Sequence, residues 1–411
     1  MTHQKIPEIQ PEVVARPLTV ERVPSLDDIA GGAWDDVADP RDMFQSRAWL
    51  RALEQSGDAP VTYLIARRPG HPRILGALPL YDSLPSRGDF LYWPELHFQD
   101  LLHAAGPPGG RLGLLAGSRA GFSTRLIVDR TLPTTTRTEV LHALRDAARA
   151  VAVERGLPYT FFLFLDASAW RDLAPVAGDG DHHRLASVAQ TELELPGEGF
   201  EDYLATLPRN TRTSVRREVG LFARTCATET VPLREAVTTV APMIVNVRAK
   251  HGMAYSVDTV TRRLAAYSSA LGDAAATALL CRVRGRVVGA GVMCRWHDRL
   301  YVTDFGRLDD EGDEGDEAPD PFVYFNAAIY EPVKHAYAMG LSSVVTGAGA
   351  ELGKARRGSA VLPLMHLAWA TAGDRPDRRI DTAPADKRRK HWSELRSAHP
   401  RYFHPVWDEL L

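Results

Sequence analysis

Apolar and polar positions change period several times along the 411 residues, and each change marks an element. Phe44, Trp49 and Leu53 recur at helical spacing and Gly57 follows them, which predicts a helix over Phe44–Gln55 after a short strand at Leu18–Val23. Val61–Ala66 and Ile74–Tyr81 are apolar runs on either side of Pro69–Gly70–His71–Pro72, the pattern of a hairpin. Ser118–Val128 reads as a strand with its approach loop. Glu139–Arg155 has the 3.6-residue period of a helix and meets Gly156, and Tyr159–Leu165 is the continuous apolar run of a buried strand.

The second half repeats this order. Leu233–Lys250 and Val257–Ala270 predict helices, Thr277–Val283 and Arg286–Arg295 a hairpin over Arg284–Gly285, and Arg299–Phe305 the next strand. A helix at Phe325–Met339, the stop Gly340 and a strand at Ser342–Thr346 complete it. Both halves run helix, Gly-Leu, apolar strand, at Arg155–Gly156–Leu157 and at Met339–Gly340–Leu341. A supersecondary order seldom arises twice by chance, so the halves are expected to be two related α/β domains. The join falls near Gly197–Phe200, after a strand at Gln190–Leu195. Residues 1–17 are then a flexible arm, 18–198 and 199–372 the domains, and 373–411 a tail that Trp392, Tyr402, Phe403 and Trp407 pack onto the body.

Composition narrows the picture. The chain is too long for one ordinary core, and its 45% apolar and 25% charged residues are those of a folded protein. A formal net charge of −3 offers no global attraction to nucleic acid, so any RNA contact must be local. Cys226, Cys281 and Cys294 show no paired spacing and no His pair accompanies them, which leaves buried thiols and no zinc site. Met1–Pro17 has no apolar signal-peptide core, and no run approaches the roughly 20 apolar residues of a membrane span. A cytoplasmic protein with no membrane insertion is expected. The acidic stretch Asp309–Asp320 has nothing to bury and reads as a solvated loop.

Several residues suggest chemistry. Arg209, Arg212 and Arg216 are three and four apart, so a helix carries them as one stripe with Arg217 and Arg224 on its flank. Glu218 is the sole acid of that segment; phosphate binding by arginine forks and a solvated helix face are both open readings. Lys387–His391 is a second cationic run, an RNA-backbone contact or a surface stretch. Gly347 and Gly349 permit close backbone approach to a ligand, and Lys354, Arg356 and Arg357 follow to hold a phosphate or a donor carbonyl; a plain surface loop is the alternative. Asp304 lies in a strand among apolar neighbours, either as a desolvated proton acceptor or as a carboxylate bonded to an amide or arginine. Tyr324, Asn326 and Glu351 are further candidates, with Asn326 also a possible helix cap. Trp93, His97, Asp100 and His103 form a polar, aromatic loop that we assign to acceptor recognition. No Gly-x-Ser-x-Gly elbow is present.

Three stretches carry a family resemblance: Phe200–Glu218 (FEDYLATLPRNTRTSVRRE), Tyr324–Gly340 (YFNAAIYEPVKHAYAMG) and Gly347–Gly358 (GAGAELGKARRG). With Phe44–Leu50 and Gly76–Tyr81 (GALPLY), they resemble the Fem-like aminoacyl transferases, a group of tandem GNAT-fold proteins. The resemblance implies an α/β (α+β) fold of two GNAT-like domains, each a mixed, mostly antiparallel central sheet flanked by helices. It implies transfer of an aminoacyl group from an aminoacyl-tRNA to the amine of a small-molecule or peptidoglycan-type acceptor, with no permanently bound cofactor. A CoA-dependent N-acyltransferase and a non-catalytic, ligand-binding tandem GNAT are the rivals. The one stretch with the spacing of a CoA pyrophosphate loop, Arg286–Gly291, falls in a predicted hairpin whose amides belong to the ladder, and Lys354–Gly358 departs from that pattern. Both points favour a donor other than CoA. Aminolysis needs a proton acceptor and oxyanion donors, roles open to Asp304, Lys354, Tyr324 and Asn326. Arg209, Arg212, Arg216, Arg217, Lys354, Arg356, Arg357, Gly347 and Gly349 are then the donor-binding set, and the two cationic clusters should converge on one crevice.

Overall fold

The computed structural model describes residues 17–57, 60–82, 92–98, 113–177, 182–253, 255–308, 322–371 and 383–409. Residues 1–16 of the expected arm, the acidic stretch, Asp100 and His103 lie outside them.

Among the described residues, thirteen strands form one sheet. They are β1 (Thr19–Val23), β2 (Val61–Arg67), β3 (Ile74–Asp82), β4 (Gly113–Ala116), β5 (Ile127–Val128), β6 (Tyr159–Leu165) and β7 (His182–Glu194), then β8 (Ala227–Pro232), β9 (Ala276–Val283), β10 (Arg286–Trp296), β11 (Arg299–Arg307), β12 (Ser343–Ala348) and β13 (Ala360–Ala370). Their order is β1-β2-β3-β4-β6-β13-β7-β12-β11-β10-β9-β8, with β5 beside β3. Read inward from either edge the pattern is the same: a four-stranded antiparallel meander, one parallel neighbour (β6 or β12), then an antiparallel strand (β13 or β7). β13 and β7 pair with each other, so the sheet is continuous across residues 198 and 199. The repeated order written into the sequence is thus a repeated topology.

Helices cover both faces. They are α1 (Arg47–Ser56), α2 (Thr134–Glu154), α3 (Ala167–Ala177), α4 (Phe200–Thr206), α5 (Arg209–Thr225), α6 (Leu233–Lys250) and α7 (Val257–Leu271), followed by α8 over residues 323–338, α9 (Glu351–Ala355) and α10 (Ala383–Ala398). The middle turn of α8, Asn326–Tyr330, is a π-helix. One core joins α1 to α6 and α7, with Trp49 and Leu53 of the first half against Ile244 and Leu264 of the second. Another places α4, α5 and α8 on the opposite face of the second-half strands. Trp392, Phe403 and Trp407 of the tail are buried against Ala189, Ala355 and Val361.

Three expectations change. The run over residues 44–55 is a 3-10 turn, Met43–Gln45, and then α1, because the Ser46 hydroxyl accepts from the Trp49 amide and restarts the helix. Residues 118–126 are loop, with only Ile127–Val128 paired as β5. β7 begins at His182 rather than Gln190, and β4, α3 and β13 were not expected at all. β8, α9 and α10 were not expected either; the helices and hairpins that were expected lie within a few residues of where the pattern puts them.

Candidate functional site

β11 and β12 pair in parallel only at residues 299–301 with 343–345, yet β11 runs on to Arg307 and β12 to Ala348. Beyond Tyr301 the strands part, and a fork opens in the sheet. Next to it, Met293 of β10 pairs with Val302 while Val292 pairs with Asp304, so Thr303 is bulged out of the ladder. The bulge shifts the alternation by one residue. Leu300 and Val302 face α8, and regular pleating would send residue 304 the same way. Instead Asp304 points to the α6 and α7 side, where Gly306 also packs against Met243.

There Asp304 Oδ1 accepts from Arg248 Nη2 at 2.7 Å and Arg263 Nη2 at 3.0 Å. Arg248 is near the end of α6 and Arg263 is on α7; the three side chains are 4% (Asp304), 15% and 6% exposed. Asp304 Oδ2 has no protein hydrogen bond among the described residues. The cluster opens into a pocket of about 60 Å³, large enough for a small head group rather than a bulky ring. Its walls come from both halves: Phe44, Trp49 and Phe122 from the first, Tyr267, Tyr301 and Gly347 from the second. Trp49 stacks on Tyr267 at 4.3 Å, and Phe44 meets Trp49 and Tyr301 edge-on at 5.1 Å each. An apolar concavity with a few convergent polar groups at the junction of two units is the usual form of a small-ligand site.

The sequence-predicted residues divide around this pocket. Asp304 and Gly347 line it. Gly347 adopts φ +66, and a Cβ there would press on the Phe122 ring at 3.2 Å. Lys354 lies behind the wall: only 3% exposed, its Nζ donates to the carbonyl of Thr346 at 2.6 Å and to those of Ala348 and Gly347 at 3.3 and 3.4 Å. Burial brings its pKa down to about 8. This lysine is therefore a brace for the end of β12, with its ammonium turned to backbone carbonyls instead of an open phosphate site. Gly349 is outside the pocket and donates its N–H to Glu351.

The two cationic clusters do lie side by side, but their charges are partly spent. Arg357 pairs with Glu218 of α5 at 2.8 Å, donates to Tyr330 and covers the Phe325 ring. Arg212 donates to the Ala205 and Leu207 carbonyls, and Arg216 pairs with Glu201 of α4 at 2.6 Å. The shortage of acids within α5 is thus made good by a neighbouring helix and carbonyls. Arg209, Arg217 and Arg356 are exposed. None of these arginines reaches the pocket.

Tyr324 packs edge-on against Phe305, and burial, with the charge of Glu351, pushes its hydroxyl up to about 12. Asn326 is fully buried in the π-turn; its Nδ2 donates to the Phe322 carbonyl and its Oδ1 accepts from no group among the described residues, so it does not cap an amide. Neither lines the pocket. In the proposed acceptor loop, Trp93 precedes a single helical turn, Pro94–His97, and His97 is buried with its ring stacked on His366 at 4.0 Å. Among the described residues of that loop, their neighbour Tyr92 reaches the pocket.

Sequence reasoning missed Arg248, Arg263 and the aromatic walls. A signal existed. Val260, Arg263, Leu264 and Tyr267 share one stripe of α7, and Arg248 follows Ile244 by four on α6, so each arginine interrupts an apolar face.

Among the described residues, no group of His, Cys, Asp and Glu could hold a metal ion, and no helix is long and apolar enough to cross a membrane. Solved structures share the fold. FemX covers 84% of this chain and 96% of its own at TM-score 0.55 and 11% identity. A tandem GNAT protein from the clavulanic acid biosynthesis pathway covers 87% and 100% at TM-score 0.50 and 12% identity. A conserved protein of unknown function from Bacteroides thetaiotaomicron covers 86% and 100% at TM-score 0.52 and 11% identity. At such identities the likeness concerns the fold, a tandem GNAT architecture. No curated protein matches the chain in sequence. The model of the FemAB-like family, described as peptidoglycan biosynthesis/recognition, matches residues 25–374, and the chain belongs to that family.

Proposed function

We propose that this protein is an acyltransferase that moves an aminoacyl group from an aminoacyl-tRNA to an amine of a small-molecule or peptidoglycan-type acceptor. The reaction is centred on the pocket at the β11/β12 fork. The observation that carries this reading is Asp304, held by two arginines with its Oδ2 uncommitted, in an aromatic pocket between the halves. Aminolysis of an ester forms a C–N bond and breaks the C–O bond, and the leaving ester oxygen becomes a hydroxyl by taking up the proton the amine gives up. Asp304 Oδ2 accepts the N–H of the attacking amine and aims its lone pair at the carbonyl. The Arg248 and Arg263 guanidiniums supply positive charge where the oxyanion develops, in a setting that water screens poorly.

An RNA donor is supported by charge. α5 carries five arginines against one glutamate, and it is bound through Glu218–Arg357 to the segment after α9. Ala355 of α9 packs in turn with Trp392 of α10, whose Lys387 and Lys390 are exposed. α5, the Arg356–Arg357 turn and α10 are thus neighbouring cationic stretches in a chain whose net charge is −3, the local positive charge that phosphate contacts require. The test is to incubate the protein with a charged tRNA pool or with acyl-CoA donors, in the presence of primary amines, and to follow loss of each donor and formation of the amide. Amide formation from charged tRNA, lost in Asp304→Asn, is expected. Consumption of acyl-CoA with the tRNA ester intact would transfer the reading to a CoA enzyme; no turnover with either donor would count against an enzyme.

A further inference from the structure

Asp42 is a buried carboxylate outside the pocket, and none of the chemistry above uses it. It begins the short turn that carries Phe44: Oδ1 accepts from the Phe44 amide at 3.0 Å. Oδ2 accepts from Gln45 Nε2 and from Ser123 Oγ, each at 2.5 Å, and lies 3.4 Å from Arg125 Nε. Arg125 is held in turn by Asp166. One carboxylate therefore ties together residues 42–45 and 123–125, and the residues next to those anchors, Phe44 and Gly121–Phe122, are pocket wall. Gly121 and Phe44 are in such close contact that a Cβ on Gly121 would overlap the ring.

The same segment is gripped from the other half. The Pro40 carbonyl accepts from Trp296 Nε1 at 2.8 Å and the Arg41 carbonyl from the Tyr301 hydroxyl at 3.0 Å. Trp34 Nε1 donates to the Gln45 carbonyl at 2.8 Å. Residues 40–45 are thus a strap between the halves, with Asp42 as its first-half anchor and pocket residues on each side.

We propose that Asp42 is a positioning residue: through the strap and Ser123 it sets the spacing of Phe44 and Phe122 against Tyr301, and so the shape of the amine-binding end of the pocket. Burial pushes its carboxyl pKa up even against the pull of Arg125. A buried polar cluster of this kind is poor evidence for a stabilising role and better suited to fixing geometry. The proposal rests on the transferase reading for its kinetic arm only.

The experiment compares the full chain with Asp42→Asn, which keeps one acceptor oxygen but loses the acceptor shared by Gln45 and Ser123, and with Ser123→Ala. With charged tRNA as donor and glycinamide as the amine probe, Asp42→Asn is expected to raise KM for the amine about tenfold with kcat within threefold, and Ser123→Ala to raise it less. Loss of folded protein would lower kcat at constant KM, and that result would overturn the proposal. A second arm needs no turnover: fluorine NMR of protein labelled with 5-fluorotryptophan. Resonances of Trp34, Trp49 and Trp296 should move in Asp42→Asn while those of Trp369, Trp392 and Trp407 stay in place. If none moves, or all move together, the strap does not act as described. Should the wild type transfer nothing to glycinamide, the transferase reading is in question, and the fluorine arm still decides the role of Asp42.

Discussion

Changing Asp304 to Asn removes one negative charge from a place where two guanidiniums meet it at 2.7 and 3.0 Å, all three side chains being no more than 15% exposed. Taking one partner from a buried ion pair costs about 3–5 kcal/mol, because the charge left behind has lost its compensation without regaining water. Here a single oxygen serves both arginines, so the upper end of that range is expected, close to 5 kcal/mol. Arg216–Glu201 provides the reference, a pair whose side chains are 56% and 73% exposed. Arg216→Met should cost less than about 1 kcal/mol. Urea unfolding at neutral pH measures both; an unchanged slope with denaturant keeps the comparison two-state. Adding Arg263→Met to Asp304→Asn removes one of the two cations and should recover part of the loss, a coupling of about 1–3 kcal/mol. If Asp304→Asn proves as mild as Arg216→Met, within about 0.5 kcal/mol, then solvent reaches the cluster and the electrostatic argument for the site fails with it.

Three further outcomes can be checked. His366 is fully buried, its Nδ1 accepts from the Phe164 amide at 3.2 Å, and burial, followed by the charges of His97 and Arg388, holds its pKa well below the usual value. The native state refuses a proton that the unfolded chain takes up near pH 6.5, so this stability is present above that pH and is lost as pH falls, at up to about 1.4 kcal/mol per pH unit; His366→Gln should flatten the acid limb in urea titrations between pH 6.5 and 5, and an unchanged limb would contradict it. Lys354 is the same case on the alkaline side: its folded pKa of about 8 is below the 10.5 of a free lysine, so stability should rise from pH 8 to 10.5 by about 3 kcal/mol, a rise in Tm that Lys354→Met abolishes. Gly121→Ala forces a Cβ into the Phe44 ring at φ +82 and should cost about 2–4 kcal/mol while closing the pocket; a stable variant that still turns over would show that the wall can yield.

The elements that announced themselves in the sequence were those with a clean period. α6 and α7 repeat apolar residues at helical spacing, since each has one face in the core and one towards solvent; the β9–β10 hairpin is apolar on both faces and was marked instead by its Arg284–Gly285 turn. β13 does not: AVLPLMHLAWA is apolar throughout apart from a proline and a histidine, because it lies between β6 and β7 with helices or aromatics on both faces. α3 contains Pro175 and only eleven residues, too little for periodicity to stand out. Asp304 was visible as a carboxylate in an apolar strand, but the direction it faces depends on the Thr303 bulge, and its arginines come from 41 and 56 residues away. Lys354 was misread for a related reason. A lysine after glycines looks solvent-facing in one dimension, and only the curl of β12 into α9 brings three carbonyls around its ammonium.

The placement of β13 has a consequence for biosynthesis. On the ribosome, β1 to β6 emerge early, yet the neighbour that closes the inner edge of β6 is not made until residue 370. The nascent first half must wait, with a bare strand exposed, while nearly all of the second is translated. Chains that terminate early, or halves expressed from separate messages, should accordingly depend on chaperones or aggregate through that open edge.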